Sequence, residues 1–310
     1  MQPGGARRWL VGFALATACA ATPQYARPAG TFQQGFAEAA PVIRAVYTEL
    51  NALRRDAYFT RLACDPQAEL VEVDADGRQT PLNRDAFTAE SIQARVDAVE
   101  LLGRYADRLA ALAAGDAAGE ARLSEAATAL GANLTGLGAR FAELPDATAD
   151  DYAGPVGEVA AAVTRAVQGR RRAAATRGAI LEAAAPVRRV LDLLEADLAE
   201  VTATVRTAAL DAVIARCAAQ YNARRAAWSD GERREALASL RGLVARRAAM
   251  RAQDPAALVR AMRDAHEALV RYARAEGREA RDAAELENAL QGFTRRVAAA
   301  AEATRALRAE

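Results

Sequence analysis

His266 is the only histidine in 310 residues, and chemistry that needs an imidazole has nowhere else to look. Zinc sites, covalent haem attachment and serine-type relays draw on several His or Cys at set spacings. None of those spacings occurs here. His266 is followed by Glu267, without the second histidine that a helix-borne zinc-protease pair requires. Val259 stands seven residues before it and Val270 four after, so it reads as a structural or surface residue on a helical stripe. Carboxylates are the next reagents to weigh. Di-metal helix sites want Glu-x-x-His pairs, and position 263 is Arg. Two-carboxylate glycoside hydrolysis leaves no short motif, and it usually works beside aromatic platforms, whereas aromatics are 5% of this chain. Gly131, Gly136 and Gly138 lie within a helical pattern rather than after a strand, which excludes a glycine-rich phosphate loop. No cofactor, metal or catalytic set is expected.

The three cysteines carry chemistry of another kind. Arg7 and Arg8, the apolar run Trp9 to Ala18 and the small residues after it follow the grammar of a secretory signal. The run is about half the roughly 20 apolar residues that a membrane span needs. Residues 1–20 therefore read as a signal peptide, cut before Cys19 or after Ala20. Ala18-Cys19-Ala20 suits ordinary signal peptidase, while Leu15 to Cys19 resembles a lipobox with its Leu one place early, and Cys19 would then carry lipid. Residues 21–31 read as a flexible tether. Under either cleavage Cys64 and Cys217 are left, as a disulfide in an oxidising compartment or as two buried thiols.

Charge removes one class of partner. Forty-one basic residues, all of them Arg, against forty acidic ones give +1, without the concentrated basic excess of a nucleic-acid binder. The densest basic run, Arg165, Arg170, Arg171, Arg172 and Arg177, reads as a solvated helix face or as a patch for anionic contacts.

Elements that position these residues are helices. Phe36, Ile43, Val46, Tyr47, Leu50 and Leu53 recur at threes and fours, predicting a helix over 32–62 with a kink or restart at Pro41. Thr88 caps a second helix carrying Ile92, Val96, Val99, Leu102, Tyr105 and Leu109. From Pro186 onward, Val187, Leu191, Leu194, Leu198, Val201, Val205 and Ala208 make a heptad seam of coiled-coil type. Ser229 with Glu232 forms a capping box before Leu237, Leu240 and Val244. Asp254-Pro255 starts another helix, and Gly277 separates a last one bearing Leu286, Leu290, Phe293 and Val297. Between them, Asp76-Gly77 flanked by short extended runs predicts one small β-hairpin near 69–82.

The expected fold is all-α: an elongated multi-helix bundle of long amphipathic helices over 32–310, with a possible sub-boundary near 145–151. The functional expectation is an exported scaffold, adaptor or interaction protein of the cell envelope, periplasmic or lipid-anchored in the outer membrane. It would have a protein partner and no nucleic acid, and self-association is compatible with this reading. The alternative is a periplasmic bundle holding a small molecule or metal among Tyr47, Tyr58, Tyr105 or Trp228; a carboxylate-dependent hydrolase comes third.

Overall fold

A computed structural model describes residues 23–65, 72–73, 79–80, 85–114, 155, 157–159, 161–162, 165, 172–201, 209–252, 254–276 and 280–309. Among them are seven long helices: α1 Pro23–Cys64, α2 Ala89–Ala114, α3 Arg172–Val201, α4 Ala209–Arg224, α5 Asp230–Ala252, α6 Ala256–Arg274 and α7 Ala280–Ala309. The fold is all-α. Of the expected hairpin, the described residues contain two antiparallel residue pairs, Glu72 opposite Thr80 and Val73 opposite Gln79, which add nothing to the architecture. The expected signal peptide with Cys19, the glycine-spotted stretch and the expected sub-boundary at 145–151 lie outside the described residues.

Each start signal is used as its chemistry requires. The Thr88 hydroxyl accepts the Ser91 N–H at 3.1 Å. Ser229 and Glu232 exchange bonds, with Glu232 N–H donating to Ser229 Oγ and Ser229 N–H to the Glu232 carboxylate. Asp254 accepts the Ala257 N–H at 3.2 Å, and Pro255 follows it where a missing N–H costs nothing. One boundary differs from the sequence reading: of the segment read as a tether, residues 23–31 belong to α1. α1 is already helical at Pro23, because Tyr25 and Ala29 are buried and Tyr25 meets the Tyr272 ring edge-on at 5.4 Å. α1 also runs through Pro28 and Pro41, and α3 through Pro186, without a break.

Five helices close a ring in the order α1, α2, α3, α6, α7 and back to α1, and α1 also touches α6 within it. Its centre is filled by Phe32 and Phe36 of α1, Tyr105 of α2, His266 of α6 and Phe293 of α7. A Cβ on Gly35 would stand 2.3 Å from the Phe293 ring, so only glycine lets α7 seat that ring. Surrounding layers are small and aliphatic, as an alanine-rich, aromatic-poor chain demands: Ala39, Ile43, Val99, Leu102, Ile180, Val187, Leu191, Leu194, Val259 and Met262.

The chain leaves this ring after α3 and returns at α6. In between, α4 and α5 form a hairpin on the last turns of α1. Leu53 meets Leu210, Ala57 meets Val213, and Cys64 is disulfide-bonded to Cys217, so α4 runs parallel to α1. This arm has two apolar clusters of three buried residues each, Leu53–Leu210–Met250 and Ala57–Val213–Cys217.

Candidate functional site

Two buried groupings contain the reactive side chains of the ring. The first is ionic. Arg95 of α2 and Asp197 of α3 pair in a fork, Nε to Oδ2 at 2.7 Å and the other terminal nitrogen to Oδ1 at 3.1 Å, with both side chains at most 6% exposed. The Tyr47 hydroxyl donates to the same carboxylate, and Arg95 also donates to the Ser91 hydroxyl and, at 3.2 Å, to the Ser91 carbonyl. The guanidinium lies over the rings of Tyr47 and Phe87 at 5.4 and 5.1 Å. Asn51 fixes that second ring by bonding both the carbonyl and the N–H of Phe87, at 2.8 and 3.0 Å. Buried charge is tolerable only when it is paired and its remaining donors are satisfied. Here both conditions hold, and the network ties α1, α2, α3 and the turn at 85–88 together. Its polar atoms face one another rather than an opening.

The second grouping surrounds His266. Its Nε2 faces the Tyr105 hydroxyl at 3.4 Å, and its ring lies over Phe32 with centroids 6.0 Å apart. Burial among rings disfavours the imidazolium, pushing the His266 pKa down to about 4, and it drives the Tyr105 phenol far above its usual range. At neutral pH both groups are uncharged. General acid–base work needs a pKa near the working pH and a path to the reacting proton; this pair has neither. Among the described residues no group of three His, Cys, Asp or Glu could hold a metal ion, and no helix is long and apolar enough to cross a membrane.

The residues singled out in the sequence are spread widely. Tyr47 belongs to the ionic network and Tyr105 to the His266 cluster, with Arg95 and Tyr105 nearly three helical turns apart on α2. Tyr58 touches Phe59 near the end of α1, and Trp228 touches Tyr221 at the arm's head, so the four do not line one pocket. Of the basic run, Arg170 and Arg171 lie outside the described residues, Arg165 is 3.9 Å from Glu182, and Arg172 opens α3. Arg177 has a defined task. Its Nε donates to the Ala273 carbonyl at 2.8 Å and it pairs with Glu276, closing the C-terminal end of α6 where carbonyls lack helical partners. Open grooves do exist. One of about 310 Å³ between α1 and α7 is lined by Arg27, Thr31, Tyr272, Leu286 and Leu290, and one of about 350 Å³ between α1 and α2 by Gln33, Arg44, Glu100 and Arg104. Neither contains His266 or Asp197.

Sequence reasoning missed the Arg95–Asp197 network, although a signal was present. Arg95 falls three after Ile92 and four before Val99, and Asp197 three after Leu194, so each is a charge on an apolar stripe. No protein-family model, no curated protein and no solved structure matches this chain.

Proposed function

We propose that this chain is a non-catalytic scaffold or adaptor of the cell envelope, exported to the periplasm or held at the outer membrane, and acting through contact with other macromolecules. The observation that carries this reading is the arm: a hairpin inserted between two neighbouring helices of the ring, stapled to α1 by the Cys64–Cys217 disulfide and leaving one side of α5 exposed. Export is supported by the leader-like run and by a cysteine pair that suits an oxidising compartment. The expected ribbon near 69–82 would be an appendage of the elongated bundle in this reading, and self-association one use of its outer faces.

Cross-linking in the native host, followed by mass spectrometry, tests the reading: links should concentrate on α4 and join a consistent protein partner. Cys19→Ala should release the protein from membranes if Cys19 is lipidated, and unchanged fractionation would rule lipidation out. A substrate-specific turnover abolished by replacing one carboxylate would overturn the non-catalytic reading. The 310 Å³ groove between α1 and α7 favours one alternative, a small-molecule carrier, with Tyr272 on its wall and Arg27 paired to Glu287 beside it. Native mass spectrometry showing a retained small ligand would select that alternative.

A further inference from the structure

We infer that the outer side of α5 and the turn at the head of the arm form a docking surface for an anionic lipid bilayer. In this assignment arginines meet lipid phosphates, and Leu237 and Val244 enter the headgroup boundary. The inference goes beyond the scaffold reading and does not depend on a lipid at Cys19.

Local charge is the first observation. Residues 209–252 carry nine arginines against four carboxylates, a net of +5 in a chain whose total is +1. Five of the nine are engaged: Arg216 by Asp65, Arg233 by Asp230, Arg246 by Glu49 and Asp56, and Arg247 and Arg251 by Asp211. Arg224, Arg225, Arg234 and Arg241 have no carboxylate partner among the described residues, and all four are exposed. They occupy the head turn and the side of α5 turned away from α4.

The second observation is apolar and independent of charge. Three large hydrophobics are strongly exposed among the described residues, and two of them, Leu237 at 47% and Val244 at 42%, share α5 with these arginines. Leu237 follows Arg234 by three, Val244 follows Arg241 by three, and each pair repeats after seven residues, so the four make two adjoining rows on one helix side. The opposite side carries Leu243 and Met250, with Leu240 at its edge, against α4 and α1. Such adjoining rows of cations and aliphatics match the boundary between phosphates and acyl chains.

The head turn is built rather than loose. Arg233 donates to the carbonyls of Arg225 and Trp228 at 3.2 and 2.8 Å, the Ala227 N–H donates to Arg224 O at 2.9 Å, and Trp228 rests edge-on against Tyr221. It presents two free guanidiniums beside an amphipathic aromatic, the residue type that settles at membrane interfaces. Guanidinium forks bind phosphate oxygens in pairs. A projecting helix side without a concavity suits a flat, laterally fluid surface better than a protein epitope, which would offer anchors to pockets.

Co-sedimentation of the full chain with vesicles tests the assignment, comparing phosphatidylglycerol–phosphatidylcholine mixtures with phosphatidylcholine alone. The comparison protein is the quadruple variant R224Q/R225Q/R234Q/R241Q, which shares the N-terminal segment, so any binding through that segment cancels. At about fivefold per arginine near an anionic surface, the variant should bind mixed vesicles roughly 100-fold or more weakly, and each single Arg→Gln about fivefold. Added salt should weaken the parent more than the variant, and L237S/V244S should lose binding several-fold while keeping the salt response. Equal binding of the parent to neutral and anionic vesicles, or unchanged binding of the quadruple variant, would overturn the assignment. So would retention on polyglutamate without vesicle binding, which would give the surface to an acidic protein instead. Any of these failures leaves the scaffold reading standing, because that reading is judged by partner capture.

Discussion

Within the ring, α1 meets its neighbours through aromatic contacts among Phe32, Phe36, Tyr105, His266 and Phe293; fewer than twenty residues after Leu50, the same helix is held to α4 by Ala57, Val213 and a covalent bond. The two halves of one helix thus rest on different physics. Burial of large side chains fills the ring and encloses its Arg95–Asp197 network, while ion pairs such as Arg260 and Arg263 with Glu195 lie on its rim. In the arm two clusters of three residues cannot do the same, and the disulfide and pairs such as Arg246 with Glu49 and Asp56 complete the contact. The covalent fastener appears where apolar area runs out.

Four experiments break or sharpen this contrast. The largest effect belongs to the arm. Cys64 and Cys217 are 153 residues apart, and the chain-entropy model assigns about 5 kcal/mol to closing so long a loop. Replacing both with Ser should therefore destabilise strongly in chemical denaturation, with faster hydrogen exchange in α4 and α5 than in α2 or α6. Uniform loosening of ring and arm would erase the distinction between them. Next comes the ring's own charge. Asp197→Ala leaves Arg95 buried without its carboxylate and should cost about 4 kcal/mol, whereas replacing Arg95 and Asp197 together by Leu and Met should cost less. A double variant as damaged as the single one would mean that the fork is not what holds these positions.

The third effect depends on pH. Folded His266 resists protonation until about pH 4, while in the unfolded chain it takes a proton near 6.5. Its contribution is therefore complete above pH 6.5 and lost as the pH falls towards 4, amounting to about 3 kcal/mol at roughly 1.4 per unit. Denaturation midpoints measured between pH 7 and 4 should fall more steeply in the parent than in His266→Phe; parallel slopes would remove His266 from the account. The smallest is Arg246→Ala at the arm's root. Its pairs are partly exposed, so the loss should stay below about 1 kcal/mol and appear in the exchange of α5 alone.

The ring was largely legible and the arm was not. Strong period, capping side chains and Asp-Pro starts fixed α2, α6 and α7, because there burial follows the sequence's own apolar stripe. For α5 the stripe misleads: Leu237, Leu240 and Val244 read as one seam, yet Leu240 turns inward with Leu243 and Met250 while Leu237 and Val244 remain exposed. A thin contact leaves the orientation of the helix to α4 and the cysteine pair, and spacing along α5 contains neither. His266 was legible as a structural or surface residue, but not its place among four rings drawn from three other helices. The start of α1 was misread because 21–31 is rich in Pro and Gly, and local propensity gives way when Tyr25 finds Tyr272.

The closed order of the ring bears on how the molecule is assembled. Its first helix is completed by its last, since Phe32 and Phe36 gain the cover of Phe293 only when α7 arrives, more than 250 residues later in synthesis. Contacts so distant along the chain make for late, slow closure and a period in which those rings stand uncovered. A polypeptide delivered from its N-terminus would carry that sticky stripe for most of its emergence, and so would have most to gain from a chaperone at the site of delivery.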